Sequence, residues 1–273
     1  MKFYFSVVSH QHHNVIFMLN TIRRLASHEK VTVICRDNKN NSQLEEYCRK
    51  HNVVYLSNDR EFGFSTNNNR NFLHAIELGM QADDYFILLN PDVFIDEENL
   101  NKLIETLRQK QPKIAAPNLY LDHKLSLYDD NLRRYPTLIN FVKNYLFNDR
   151  STVIDKSAPE HIQGMFWASG AFIIVKAGTY LELQGFDESY YMYCEDVDFC
   201  RRANLKGEDI SFFYHVTAVH FRHRCSHKFL SRAFFRHVNS VIKYNLALLN
   251  LHKSRSCLHS KQDKLFPKVK KSQ

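Results

Sequence analysis

Residues 191–202, YMYCEDVDFCRR, place Glu195, Asp196 and Asp198 within four positions, directly after an aromatic cluster. A carboxylate so placed can take a proton from an attacking hydroxyl or oppose a growing positive charge. Acids also collect in the first turn of a helix, where they meet unpaired N–H groups and the positive end of the helix dipole. The stretch alone leaves both readings open. A second candidate is FILLNPDVFID, in which an apolar run ends in Asn90, Pro91 and Asp92, with Asp96 beyond. A carboxylate at a strand tip, held extended by the proline, can hold a hard cation that binds phosphate oxygens. A turn with a capping Asp is the plainer alternative.

These residues need a scaffold to position them. The first half alternates β-rich runs, FYFSVVS (3–9), VTVICR (31–36), VVYLS (53–57) and YFILLN (85–90), with helical segments at 13–27, 42–50 and 68–79. That alternation predicts an α/β domain with a largely parallel sheet. Ligands of such sheets bind at the carboxyl ends of the strands. The residues there are polar each time: Ser9 and His10, then Arg36, Asp37 and Asn38, then NDREFGFSTNNNRN, then NPDV. Beyond residue 113 the pattern changes. KIAAPNLY reads as a strand and the stretch to residue 147 as an irregular insertion. A strand at 170–176, a helix through 183, a glycine turn at 185 and a helix over 196–206 closed by Gly207 follow. The strand ISFFYHVTAVHF and an amphipathic stretch over 229–250 complete the pattern.

With 273 residues, 44% hydrophobic and 13% aromatic, the chain can bury a core as one large domain or one domain with an appendage. No apolar run approaches the roughly 18 residues that span a bilayer, and MKFYFSVVSHQHH meets Ser and His too soon for a signal-peptide core. The expectation is a cytoplasmic protein. Its six cysteines, at 35, 48, 194, 200, 225 and 257, show no C-x-x-C pairing and read as reduced thiols. HFRHRCSH holds His220, His223, Cys225 and His227, but at none of the usual zinc spacings.

The net charge of +8 is uneven: residues 222–273 carry thirteen Lys/Arg against the single acid Asp263. Nucleic acid, an anionic membrane surface or a phosphorylated substrate could use such a tail. The acidic body, and the lack of cations interleaved with aromatics on a strand face, count against a nucleic-acid-binding module. SVVSHQHHNV lacks the Gly-rich, Lys-containing signature of a nucleotidyltransferase.

Taken in order, SVVSH, RDN, GFSTNNNRN, LLNPDV, SGAFIIVKAGTYLELQGFDESYYMYCEDVDFCRRANLKG and AVHFRHRCS resemble the motifs of family 2 glycosyltransferases. More narrowly, they resemble bacterial rhamnosyltransferases of O-antigen and related lipopolysaccharide and cell-surface polysaccharide assembly. The resemblance covers residues 3–245, and its most specific piece is G-F-D-E followed by E-D-x-D-x-C-x-R. It implies the GT-A fold within residues 1–226. A Rossmann-like nucleotide-sugar-binding half (1–112) with a mixed central sheet would join an acceptor-binding half (113–226), followed by a C-terminal helix and basic tail (227–273).

The resemblance also assigns roles. Val8 and Ser9, with Asp37 and Asn38, would hold the base and ribose of the nucleotide sugar. A loop from Gly63 to Asn69, including Asn67 and Asn68, would close over the ribose and diphosphate. Asn90 and Asp92 stand at the D-x-D motif, whose acids bind Mg²⁺ or Mn²⁺ across the diphosphate. Asn90 replaces the first acid, which leaves open whether metal is essential. Asp196 corresponds to the general base of an inverting displacement, and Glu195 would orient it or bind the acceptor. Asp198 would cap helix 196–206 and pair with Arg201 or Arg202. His220 matches a position contacting metal or diphosphate, with a structural histidine as the alternative. Trp167, Tyr190, Tyr191 and Tyr193 are either sugar platforms or core. The implied donor is dTDP-L-rhamnose, with UDP- and GDP-sugars as alternatives. The implied acceptor is a lipid-diphosphate-linked saccharide, met through peripheral contact of the basic tail with an anionic membrane.

Overall fold

Apolar runs long enough to be covered on both sides dictate a central sheet between helical layers. The computed structural model of the protein describes residues 1–147, 149–162, 164–222, 232–259, 261, 265 and 266. Its first half runs β1 (Phe3–Ser9), α1 (His13–Leu19), α2 (Thr21–Ala26), β2 (Val31–Asp37), α3 (Ser42–Lys50), β3 (Val54–Ser57), α4 (Phe64–Glu77) and β4 (Tyr85–Leu89). Then come β5 (Val93–Phe94), α5 (Glu97–Lys110), β6 (Ile114–Tyr120), β7 (Leu132–Arg133), α6 (Leu138–Phe147) and β8 (Trp167–Ala168). The chain continues through β9 (Phe172–Lys176), α7 (Ala177–Glu182), α8 (Glu195–Leu205), β10 (Ile210–His220) and α9 (Arg232–Leu248).

Eight strands form one sheet in the order β3-β2-β1-β4-β9-β6-β10-β5, and β7 and β8 form a small second one. β3, β2, β1 and β4 are mutually parallel, as the alternation of the first half requires. β9 then runs antiparallel to both β4 and β6, and β5 antiparallel to β10, so the sheet is mixed. β4, YFILL, is buried at every position, with α1, α2, α3 and α5 packing one face of the sheet and α4, α7 and α8 the other. On the second face Phe72, Tyr180, Phe186 and Phe199 interlock, with ring centroids 4.7 Å apart for Phe72–Tyr180 and 5.2 Å for Phe186–Phe199. Edge and tilted aromatic contacts of this kind add to the area each ring buries.

Three local expectations change. The helical segment 13–27 is two helices, because Asn20 takes a left-handed conformation (φ 53°) that an asparagine tolerates. The expected loop Gly63–Asn69 is helical from Phe64. Serine and asparagine are weak helix formers, but here Ser65, Asn67, Asn68, Asn69 and Asn71 are buried, and tertiary hydrogen bonds override their propensity. Asp198 does not cap α8. The N-cap is Cys194, and Asp198 lies one turn inside, where its carboxylate accepts from Arg202 Nε at 2.7 Å.

The chain after α9 folds back over the body as far as it is described. Asp187 accepts from the backbone N–H of Arg255 at 2.9 Å and lies 2.7 Å from His252 Nε2. Glu188 accepts from the N–H of Cys257 at 2.8 Å, and Leu258 is fully buried. Residues 251–259 are therefore a strap over the GFDES segment, and the lysine-rich end that follows lies largely outside the described residues.

Candidate active site

Gly63 joins the two halves of the site. The N–H of Phe64 donates to Tyr191 O at 2.9 Å, so the start of α4 lies directly on the loop that leads into α8. A Cβ on Gly63 would meet that carbonyl oxygen at 2.2 Å, an approach only glycine allows. Past Tyr191 the backbone turns sharply: Tyr193 and Cys194 both have positive φ (72° and 65°). Non-glycine residues take this conformation at a cost, and it aims the first turn of α8 back toward the sheet.

That first turn carries Glu195 and Asp196. The two oxygens of Asp196 accept from Gly170 N–H and Val197 N–H, each at 2.9 Å. Glu195 is buried, and its Oε2 has no hydrogen-bond partner. Burial raises the pKa of Glu195 well above the carboxylate range, and the neighbouring Asp196 adds to the shift. Burial also raises Asp196, and its two backbone donors reduce that rise without cancelling it. Of the two, Asp196 with its two N–H donors is the better placed to carry the charge, and Glu195 with an unpartnered oxygen the better placed to keep a proton. A carboxylate that is partly exposed and fixed by two N–H groups has the form of a general base.

Asp92 follows β4, and the antiparallel pairing of β5 with β10 sets Val93 against His220. His220 Nε2 lies 3.5 Å from Asp92 Oδ1, and its Nδ1 lies 2.8 Å from Asp129 Oδ2. Arg222 forks the same Asp129 at 3.0 and 2.7 Å. Burial alone would lower the His220 pKa, but its bonds to Asp129 and Asp92 raise it to about 9. Burial opposes ionisation of Asp129, but His220 and Arg222 outweigh it and hold the group at about 2.

Asp92 and His220 Nε2 thus face each other as an ion pair while the imidazole holds its proton, and Nε2 becomes a metal donor only when a bound cation displaces that proton. The carboxylate of Asp129 orients the far side of the ring as one does behind metal-bound histidines. Among the described residues no cluster of three or more such side chains forms a complete cage. Asp92 supplies the single carboxylate that a hard cation bound mainly by phosphate oxygens and water could use, as Mg²⁺ commonly is. Asn90 contributes through its backbone: its N–H donates to Ala171 O at 2.9 Å. Gly170, the residue before Ala171, holds Asp196. The strand-end Asn-Pro-Asp and the carboxylate on α8 are therefore joined through two consecutive residues, Gly170 and Ala171.

The remaining expected residues gather at the carboxyl ends of β1 and β2. Val8 is half-buried, and Ser9 O accepts from Asn38 N–H at 3.0 Å. Asp37 is fully buried, accepting from the N–H groups of Lys39 (3.1 Å) and Asn41 (2.7 Å). Asn38 Oδ1 accepts from Asn58 Nδ2 at 2.7 Å and Phe62 N–H at 3.1 Å. Asn67 Nδ2 donates to the carbonyls of Phe62 and Gly63. Asn68 accepts from Ser6 Oγ at 2.6 Å, below the strand tips. Both amides are used inside the protein, clamping α4 and the 58–63 loop against β1 and β2. Tyr190 is fully buried beside Cys194, Val197 and Tyr244 and is a core residue. Trp167 packs in β8 with its Nε1 donating to Arg134 O at 3.1 Å. His223, Cys225 and His227 lie outside the described residues.

The model of the family described as glycosyl transferase family 2 matches residues 12–168. Rhamnosyltransferase WbbL of Escherichia coli K12 is 31% identical over 204 residues, 74% of this chain and 76% of that protein. The chain belongs to glycosyl transferase family 2. Another relative of this glycosyltransferase is the N-acetylglucosaminyl-diphospho-decaprenol L-rhamnosyltransferase of Mycobacterium tuberculosis, 27% identical over 64% of this chain and 61% of that one. Among solved structures, the mannosyltransferase PcManGT of Pyrobaculum calidifontis, in complex with GDP-Man and Mn²⁺, aligns with a TM-score of 0.56. That match covers 96% of this chain and 69% of that one at 11% identity, and it establishes the shared GT-A fold.

Sequence reasoning missed three residues that this glycosyltransferase brings to its site. Asp129 and Arg222 flank His220, and Gly170 holds Asp196. The acids of YDDN, one residue ahead of an arginine pair, were a visible signal for the first. Nothing local marked Gly170, where a Cβ would meet the Phe64 ring at 3.2 Å.

Proposed function

We propose that the enzyme transfers L-rhamnose from dTDP-L-rhamnose to a lipid-diphosphate-linked saccharide during O-antigen-like cell-surface polysaccharide assembly, with inversion at the anomeric carbon. The two rhamnosyltransferase relatives support the sugar, and the diphospho-decaprenol named for one of them supports the acceptor class. The observation that supports the mechanism is the Asn90–Ala171, Gly170–Asp196 linkage, which ties the Asp196 carboxylate through two consecutive residues to the strand end that leads to Asp92. Asp196 takes the proton of the acceptor hydroxyl as that oxygen attacks the anomeric carbon, and its negative charge opposes the oxocarbenium character of the transition state. Glu195, kept neutral, prevents a second negative charge from competing for the same proton. The walls formed by Val8, Ser9, Asp37, Asn38 and Gly63 receive the nucleoside, with Asn67 and Asn68 holding them in place. Asp92 and His220 would hold a divalent cation, Mg²⁺ or Mn²⁺, which when bound neutralises charge on the leaving nucleoside diphosphate.

No described helix is long and apolar enough to cross a membrane. The cationic C-terminal region supports peripheral contact with the anionic inner face of the cell membrane. The test is transfer to a GlcNAc-diphosphate-lipid acceptor, read by mass spectrometry, with dTDP-L-rhamnose, UDP-sugars and GDP-sugars offered in parallel. Turnover with dTDP-L-rhamnose, abolished by Asp196→Asn, is expected. Turnover only with a UDP- or GDP-sugar overturns the donor assignment.

A further inference from the structure

α9 is apolar on two opposite faces. Its inner face packs through Tyr244, 1% exposed, and Ser240, whose Oγ donates to Met192 O at 2.9 Å. On the outer face Val238, Ile242 and Leu246 are 40, 53 and 37% exposed. At 100° per residue these three lie within about 80° of one another, a single stripe along the helix. Leu249, 67% exposed, continues the stripe just past the helix end. α6 lies alongside, its Phe141 ring 5.9 Å from Tyr244, and shows Ile139 and Val142 to solvent at 65 and 49% exposure. A folded protein rarely leaves such a contiguous apolar ridge without a use.

Charge identifies what covers it. Residues 232–261 carry six Lys/Arg and no carboxylate, and α6 carries Lys143 and no carboxylate. Arg236, Lys253 and Arg255 are exposed. A second copy docking through the same face would bring cation against cation. A bilayer with anionic headgroups matches both properties, apolar side chains entering the acyl boundary and cations meeting phosphates. We propose that the outward face of α9, widened by the first turns of α6, is the surface by which this enzyme seats on an anionic membrane. The inference deepens the reading of a lipid-linked acceptor, because α9 is bonded to the catalytic loop. Besides Ser240 on Met192, Lys243 Nζ donates to Ser189 O, and the Arg236 guanidinium lies 3.9 Å from the Tyr191 ring centroid. Seating α9 thus sets Glu195 and Asp196, which begin α8 directly after that loop, beside the bilayer.

Flotation of the full chain with acceptor-free vesicles of phosphatidylglycerol and phosphatidylethanolamine tests the surface apart from any sugar transfer. The chain floats with these vesicles and less with phosphatidylcholine alone. Val238→Asn, Ile242→Asn and Leu246→Asn combined lower the partition coefficient by roughly tenfold for each side chain removed. All three are exposed, so an unchanged melting temperature checks the fold. Leu249→Trp adds a fluorophore whose emission shifts to the blue and is quenched by lipids brominated in the acyl chain, relative to the parent. Absence of flotation at low salt overturns the proposal, as does equal flotation of the triple variant or an unquenched Leu249→Trp. A concentration-dependent doubling of mass that the triple variant abolishes assigns the ridge to a second copy instead. Flotation without rhamnosyl transfer leaves the membrane surface standing and removes only the donor reading.

Discussion

Replacing each acid of the Glu195–Asp196 pair by its amide separates their roles. Asp196→Asn removes the base and should lower turnover by roughly 10²- to 10⁴-fold, or about 3–5 kcal/mol of transition-state stabilisation. It also disturbs the fold. Asn offers one acceptor oxygen where Gly170 N–H and Val197 N–H now use two, so one donor faces an amide NH₂. An N–H left unpaired costs about 1–3 kcal/mol, and the variant melts a few degrees lower while still binding nucleotide. Glu195→Gln behaves differently, because glutamine copies a glutamic acid that already holds its proton, and turnover near neutral pH should stay within about threefold of the parent. The stability effect has a defined sign. Glu195 is raised from 4.5, so the folded state keeps a proton that the unfolded chain releases. Its contribution is fully present below about pH 4.5 and is lost as pH rises toward the folded pKa. The melting temperature of Glu195→Gln should therefore gain on the parent with rising pH above 4.5. Steady-state transfer assays with calorimetric melting from pH 4 to 8 decide it. A turnover loss in Glu195→Gln as deep as that in Asp196→Asn refutes the division of labour.

Asp92→Ala should fold and yet lose metal-enhanced binding of a nucleoside diphosphate, measured by titration calorimetry with and without Mg²⁺ or Mn²⁺; unchanged affinity with metal would reduce Asp92 to a turn residue. Gly63→Ala, whose Cβ would meet Tyr191 O at 2.2 Å, should cost about 1–3 kcal/mol in a denaturant melt and slow transfer by moving the loop before α8. Truncation after residue 250 removes the fully buried Leu258 and the partners of Asp187 and Glu188, and a lower melting temperature is expected. Burial of a leucine alone is about 1.5–3 kcal/mol, so a melting temperature equal to the parent's would show that the strap is not part of the fold.

The parallel half of this enzyme was legible in its sequence because each of its strands is a local apolar run followed by polar residues, and burial on both faces leaves such runs little alternative. The cluster at Glu195 and Asp196 was legible for the same local reason, three acids in four positions. The division of labour between these two acids was not. It depends on Gly170 and Val197 supplying both donors to one carboxylate and on burial leaving an oxygen of the other without a partner. The amides of GFSTNNNRN read as a loop, since asparagine seldom builds helices. Only the facing Ser6, Asn38 and Asn58 side chains and the carbonyls of Phe62, Gly63 and Phe64 turn them into a buried clamp. Asp129 and His220 stand 91 positions apart, and it is the parallel pairing of β6 with β10 and the antiparallel pairing of β10 with β5 that bring Asp129, His220 and Asp92 together. Local patterning sets which segments are strands and helices, whereas a charge environment is made by whichever segments the sheet register sets side by side.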